Sequence, residues 1–518
     1  LLLSLLSALL LILAFPEPGI SAFGWVAFIP LFIVIMTSGF GRSLLAALVT
    51  GVIFYTVYLF WMKEYKHPLA LTGGVFGVTV FWSAAAIIAH FLYHRIPRRG
   101  TPWRGLPLLG LVCGWFLIDY VKTIGFLAFP WGILGYSQYR NLLLIQSASI
   151  FGVWGIDLLI LLCNAALAGV ILDFLIPVPR RAAGGNSGIP LARRLIYPAA
   201  VLFFVALSLA WGVAKGREEK NRGFPQKRIA MVQANFDPWS PRLAENIATE
   251  IDLTLEALEH EPELVVWSES SVPFPYEAYL QRENPHAMRV HRFARALNRP
   301  FVFGTLEYTR DIATGQQRYY NVAVYYDAGI LQGTYRKMRL VPFGEWFPYK
   351  RLFPFVVKIL EAAGAGDFTP GEQYTIFSDS DIRFSVLICF EDVFGNLARQ
   401  FVRRGSQVLI NVTNDAWTGS EKAEIQHFSL SVFRAIENRR SLVRAANGGV
   451  TVCVNPYGRT TAQLDLFTSD MLVCDVDIVQ SSEMTFYTRY GELLPLILVP
   501  LTLLAGLILL VRMLFASP

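Results

Sequence analysis

Charge is scarce in this chain. Only 16% of its 518 residues are Asp, Glu, Lys or Arg, against about 25% in an ordinary soluble protein. Hydrophobic residues make up 54% and mean hydropathy is +0.44, which excludes an ordinary soluble enzyme. Cysteines number five and histidines seven. There is no CxxC pair and no histidine cluster, so the sequence carries no metal signature and calls for no cofactor.

The apolar residues gather in long runs. Eight candidate spans cover residues 1–15, 22–36, 43–62, 71–93, 106–124, 153–176, 196–214 and 493–515; a spanning helix needs roughly 20 such residues. The chain starts without Met or a basic segment, so residues are expected upstream. The first run lacks a clear cleavage site and is read as a span rather than a signal peptide. Arg95, Arg98, Arg99 and Arg104 follow the fourth run, and Arg180, Arg181, Arg193 and Arg194 follow the sixth. The positive-inside rule makes both loops cytoplasmic, together with Arg42 and Arg512. The polar block after the seventh run then lies outside; Lys63 and Lys66 count against this order. The net charge of +6 is read as this anchoring, not as a nucleic-acid footprint. The expected organisation is a membrane domain (1–214), an outer domain (215–490) and a last span (491–518).

Two features of the membrane part stand out. Residues 126–146 carry Phe129, Pro130, Trp131, Tyr136 and several glycines, which suit an outer-face loop, either an aromatic anchor or part of a lipid site. Asp119 is an intramembrane carboxylate, either a functional group or one that reaches headgroups. Cys113 and Cys163 are packing residues. An oxidising compartment would favour a Cys453–Cys474 bridge, but the sequence leaves open whether the two meet.

The outer block alternates strand-like and helical segments, which predicts an α/β layered domain. Strands are expected at 227–233, 264–267, 301–306, 322–326, 330–335, 383–389 and 408–412, and helices at 243–258, 284–298 and 421–446. Cys389 ends the apolar run Phe384, Val386, Leu387, Ile388 just before a helical segment. That is a position where a thiolate is stabilised and a nucleophile is well placed; the plain alternative is a small buried hydrophobe. Glu269 follows the apolar run 264–267, where burial would raise its pKa and suit it as a general base. Lys337 precedes a Pro- and Gly-broken turn, where it would donate to a developing oxyanion. Each of the three has a structural alternative when taken alone.

Taken together, Glu269, Lys337 and Cys389 resemble in type and order the triad of the nitrilase superfamily, whose fold is an αββα sandwich. Within it the chain resembles the apolipoprotein N-acyltransferases of bacterial inner membranes. The resemblance rests on Pro130-Trp131 and Gly135-Tyr136, Trp267-Ser268-Glu269, residues 340–345, Cys389-Phe390-Glu391, residues 414–417, Gln426-His427 and residues 444–449. It covers nearly the whole chain. Phe390 departs from the usual tyrosine, Thr418 from phenylalanine and Asp119 from glutamate. The resemblance implies that Cys389 carries an acyl group as a thioester, Glu269 moves the proton and Lys337 steadies the oxyanion. Glu345 and Glu391 would support them, and Trp239, Phe390, Asn414 and Trp417 would line the substrate. The implied partners are a phospholipid acyl donor such as phosphatidylethanolamine and a diacylglyceryl apolipoprotein acceptor, handled by a monomer in the inner membrane with its catalytic domain in the periplasm. Residues 345–366, rich in exposed-type apolar side chains, would form an arm or lid at the membrane surface. The rival readings are a membrane-anchored nitrilase-type amidase, and a transporter or receptor with an inert outer domain.

Overall fold

The computed structural model describes residues 1–65, 69–96, 105–175, 191–240, 242–310, 315–347, 349–362, 366–379 and 381–515. The expectations for Lys66, Arg98, Arg99, Arg104, Arg180 and Arg181 lie outside them. The chain forms two compact units: Leu1–Lys63, Pro68–Arg217 and Glu492–Pro518 make one, and Glu64–His67 with Glu218–Gly491 the other.

The first unit is helical. Among the described residues, five helices are long and apolar enough to cross a membrane: Phe40–Tyr58, Ala70–Arg95, Val153–Phe174, Leu195–Asn221 and Leu493–Phe515. The other three expected spans contain shorter apolar helices, Leu2–Ala14, Ile29–Thr37 and Gly105–Val121, with 13, 9 and 17 described residues. The outward faces are apolar, with Leu202 and Phe203 more than 60% exposed, as a lipid-facing surface requires.

Two sequence expectations are corrected here. Residues 131–139 are buried, not an interfacial anchor. Residues 134–138 form a single 3-10 turn, and its polar groups find internal partners. Gln138 Nε2 donates to Ser21 O at 2.8 Å and Trp25 Nε1 donates to Gln138 Oε1 at 3.2 Å. The Gly135 N–H donates to the fully buried Asp157 at 3.3 Å. Asp119 does not reach headgroups; it is buried in an ion pair with Lys122 at 2.9 Å.

The second unit is a four-layer sandwich. Its first sheet contains β1 (Gln226–Gln233), β2 (Leu264–Val266), β3 (Val272–Pro275), β4 (Phe301–Arg310), β5 (Gln317–Asp327) and β6 (Ile330–Arg336). The second contains β7 (Phe377–Ser378), β8 (Arg383–Ile388), β9 (Val408–Thr413), β10 (Ser441–Ala446), β11 (Val452–Val454) and β12 (Thr460–Gln463). β13 (Asp470–Asp477) returns to the first sheet beside β1, giving the order β13-β1-β2-β4-β5-β6 with β3 on β4; the second sheet runs β12-β11-β10-β9-β8-β7. Helices Leu243–Ala257 and Pro285–Leu297 cover the outer face of the first sheet through Ile247, Val290 and Ala294. Gly395–Arg403 and Glu421–Asn438 cover the second. Local signals explain the boundaries. The Asn284 side chain accepts from the N–H groups of His286 and Ala287, an N-cap with Pro285 at the first helical position. Ala328 and Gly329, both at positive φ, close the β5–β6 hairpin. The helix expected through 446 stops at Asn438: Arg439 turns left-handed (φ 49), and 441–446 form fully buried β10. β-branched or not, these side chains are held by ladder bonds to β9 that a periodicity argument does not see. Cys453 and Cys474 form a disulfide, joining β11 of one sheet to β13 of the other.

Candidate active site

Strand order gathers the site. β1, β2 and β4 are parallel neighbours in one sheet, and β8, β9 and β10 in the other, so functional groups fall at the carboxyl ends of strands. Glu269 follows β2, Lys337 follows β6, Cys389 follows β8 and Asn414 follows β9. Gly304 of β4 lets the Glu269 backbone come close: a Cβ there would lie 2.6 Å from Glu269 Cα. Cys389 sits at φ 52, a left-handed conformation rare for a non-glycine residue and typical of functional turns.

Glu269 and Lys337 are buried and paired, Lys337 Nζ lying 3.3 Å from Glu269 Oε1. Lys337 Nζ also donates to Glu345 Oε1 at 2.8 Å. Asn321 Nδ2 donates to Glu269 Oε1 at 2.7 Å and to Glu345 Oε1 at 3.1 Å. The Asn414 N–H reaches Glu269 Oε2 at 2.9 Å, and the Val341 N–H reaches Glu345 Oε2 at 2.8 Å. Burial pushes the Glu269 carboxyl up, against the pull of Lys337. Burial works to lower Lys337, but the Glu269 and Glu345 carboxylates outweigh it and hold the ammonium well above the usual lysine range. Burial and then the Glu269 charge push the Cys389 thiol well up, with Lys337 opposing. Desolvation and a neighbouring carboxylate here act against the thiolate, and the lysine acts for it.

Glu391 braces the turn on which Cys389 sits. It accepts from the Ile388 N–H at 2.8 Å, the Met338 N–H at 2.7 Å and the Tyr335 hydroxyl at 2.8 Å, so one carboxylate ties the end of β8 to the chain around Lys337. Burial pushes its pKa up to about 7. Phe390 is buried against Phe394. Trp239 and Trp417 meet edge to face, and Trp239 Nε1 donates to the Trp417 carbonyl at 3.2 Å.

Three further groups were not singled out for a role from the sequence. Asn321 lies inside β5, where an asparagine gives no signal of its own. His427 Nε2 lies 2.9 Å from Asp392 and Nδ1 3.0 Å from Asp415, with Arg444 on both aspartates. Both imidazole nitrogens face carboxylates, and Arg444 Nη2 also lies 3.1 Å from Nδ1. Burial acts to lower its pKa, yet Asp392 and Asp415 push His427 up to about 10. Tyr65 groups with the second unit although the chain on either side belongs to the first. Its hydroxyl is pushed up by burial and then by the charges of Cys389, Asp415, Glu424 and Glu345. A lone tyrosine between two spans gives no sequence cue to that placement.

Known proteins match both units. The family described as carbon-nitrogen hydrolase matches residues 228–485, and the apolipoprotein N-acyltransferase N-terminal domain matches residues 7–166. An apolipoprotein N-acyltransferase of Geobacter metallireducens is 36% identical over 506 residues, covering 95% of this chain and 91% of the relative. The chain belongs to the apolipoprotein N-acyltransferase family. Apolipoprotein N-acyltransferase 1 of Treponema pallidum is 34% identical over 432 residues, covering 80% of this chain and 77% of that one. As a member of the family the chain is a membrane-embedded acyltransferase of the nitrilase superfamily.

Proposed function

We propose that the chain moves an acyl chain from phosphatidylethanolamine, through a thioester on Cys389, to the α-amine of a diacylglyceryl-cysteine apolipoprotein. The observation that carries this is the buried Glu269–Lys337–Glu345 cluster acting on the Cys389 thiol. In the first half-reaction Cys389 Sγ attacks the donor ester carbonyl while Glu269 takes the thiol proton. Lys337 and the backbone N–H of Phe390 stabilise the tetrahedral oxyanion. Glu269 then protonates the departing lysophospholipid oxygen. In the second half the acceptor amine attacks the thioester, Glu269 takes its proton, and sulfur leaves and is reprotonated. Glu345 holds Lys337, Glu391 holds the turn, and Trp239, Phe390, Asn414 and Trp417 line the substrate. The arm is residues 345–366, where Leu352 and Phe355 are 72% and 63% exposed; a diacyl donor stays in its bilayer, each buried methylene being worth about 0.8 kcal/mol.

The reading places the protein, as a monomer, in the bacterial inner membrane with the second unit in the periplasm. The arginine distribution supports that side. So does the Cys453–Cys474 disulfide, since such bonds persist in oxidising compartments.

The test is intact mass of the detergent-purified protein after incubation with phosphatidylethanolamine, for wild type and Cys389→Ala. A gain of one acyl chain in wild type alone, discharged by a diacylglyceryl-cysteine peptide, is the expected result. Free fatty acid in place of acylated peptide would make the protein a hydrolase. An acyl gain that persists in Cys389→Ala would remove Cys389 as the carrier.

A further inference from the structure

The helical unit contains a cleft that the proposed transfer mechanism does not use. Its volume is about 930 Å³, within the range of sites that enclose small ligands. It lies between the end of helix Leu69–Arg95, the middle of Gly105–Val121 and the second half of Leu493–Phe515, and the turn at 37–40 closes one side. The walls are hydrocarbon. Leu503 and Leu507 line the cleft yet remain 57% and 56% exposed, so it opens sideways onto the surface where lipid lies.

Its mouth is basic. His90, His94 and Arg95 belong to the lining, and no described lining residue is acidic. The two imidazoles lie 4.3 Å apart. His90 Nδ1 is 3.1 Å from Ser43 Oγ, and His94 Nε2 donates to the Ile35 carbonyl at 2.9 Å; these contacts fix both rings at the rim and leave one nitrogen of each outside them. Arg95 is exposed at the helix end, where a cation is expected to sit at the headgroup level. Over Thr502–Leu510 the C-terminal helix runs about 12 Å along the cleft, enough to lay the upper part of an acyl chain below that mouth.

We propose that this cleft binds one anionic phospholipid from the leaflet at the Arg95 end of the bundle, with an acyl chain against Leu503 and Leu507 and the phosphate at Arg95 and the histidines. The charge pattern sets the class: an apolar trough alone takes any lipid, whereas one with the Arg95 guanidinium and two imidazole donors at its rim, and no carboxylate among its described lining residues, favours a net negative headgroup. All its lining residues belong to the helical unit, and none is a residue of the Cys389 site.

The experiment uses the full chain carrying Cys389→Ala, so that no lipid is consumed. The protein is equilibrated in mild detergent with equimolar phosphatidylglycerol and phosphatidylethanolamine, and retained lipid is read by native mass spectrometry. One phosphatidylglycerol should be kept at least fivefold over phosphatidylethanolamine. Gly506→Leu should abolish that adduct: a Cβ at Gly506 meets nothing closer than 4.0 Å, so the larger side chain enters the cleft. His94→Gln with Arg95→Gln, both at exposed positions, should keep a lipid but lose the preference. Equal retention of the two lipids by the parent chain would overturn the proposal, as would an undiminished adduct in Gly506→Leu. Should Gly506→Leu fail to fold, the exposed double variant decides alone, and an unchanged preference in it would overturn the assignment.

Discussion

Asn321 shows how much of the chemistry depends on one neutral side chain. Its amide nitrogen donates to both Glu269 and Glu345, so it holds two like charges around a single ammonium. Replacing it with alanine leaves each carboxylate short of a donor. The acyl-transfer rate of Asn321→Ala should fall 10- to 100-fold, about 1.4–2.8 kcal/mol of barrier, with the melting temperature nearly unchanged; an undiminished rate in single-turnover acylation would rule out the positioning role. His427 makes a prediction in pH. Its pKa is about 10 in the folded state and about 6.5 unfolded. The raised value means that its stabilisation is fully present below about pH 6.5 and is lost as pH rises through 10, up to a few kcal/mol. Thermal unfolding of wild type across that window should show the decline, and His427→Gln should start lower and run flatter. Parallel curves for the two proteins would dismiss the imidazolium.

At the scale of elements, the decisive contact is between β4 and the turn after β2. Gly304 accepts no side chain because Glu269 Cα and the Ser268 carbonyl occupy the space. Gly304→Ala forces the Glu269 turn outward, and a displacement of about 1 Å at the proposed general base should cost on the order of 100-fold in rate. The expected signature is slow acylation of Cys389, measured by intact mass against time, in a protein that still unfolds cooperatively. An acylation rate equal to wild type would show that the turn relaxes freely. The elements themselves were largely legible. The β5–β6 hairpin and helices 243–257 and 285–297 announce themselves by alternation, 3.6-residue period and an Asn-Pro start. The exception is instructive: 421–446 reads as one helix because Leu442 and Val443 continue an apolar rhythm, but Arg439 breaks it and the second sheet claims the remainder.

At the scale of the molecule, the disulfide joins the two sheets whose strand ends carry the site. Cys453 and Cys474 close a short loop, separation 21 residues, and a bond of that kind contributes about 2–4 kcal/mol. The Cys453→Ser, Cys474→Ser double variant should therefore unfold at lower denaturant concentration, read by urea titration in the same detergent, and reduction of wild type should have the same effect. Coincident midpoints would mean that sheet packing alone sets the stability of this unit.

Composition and motif order determined much of this protein without a structure. Long apolar runs divide the chain because water rejects them, and Glu269, Lys337 and Cys389 stand in motifs that name a chemistry. Other properties had to await the fold. Residues 131–139 turn inward, where their polar groups find partners such as Asp157, which lies far along the chain. The Cys389 thiol is pushed up because burial and Glu269 act on it together, and neither is visible from its sequence neighbours. The Asn321 contacts and the Cys453–Cys474 pairing likewise depend on which strands lie side by side. Local sequence encodes propensity and hydrophobicity; proximity between distant residues, and the electrostatic field that proximity creates, exist only once the sheets have closed on each other.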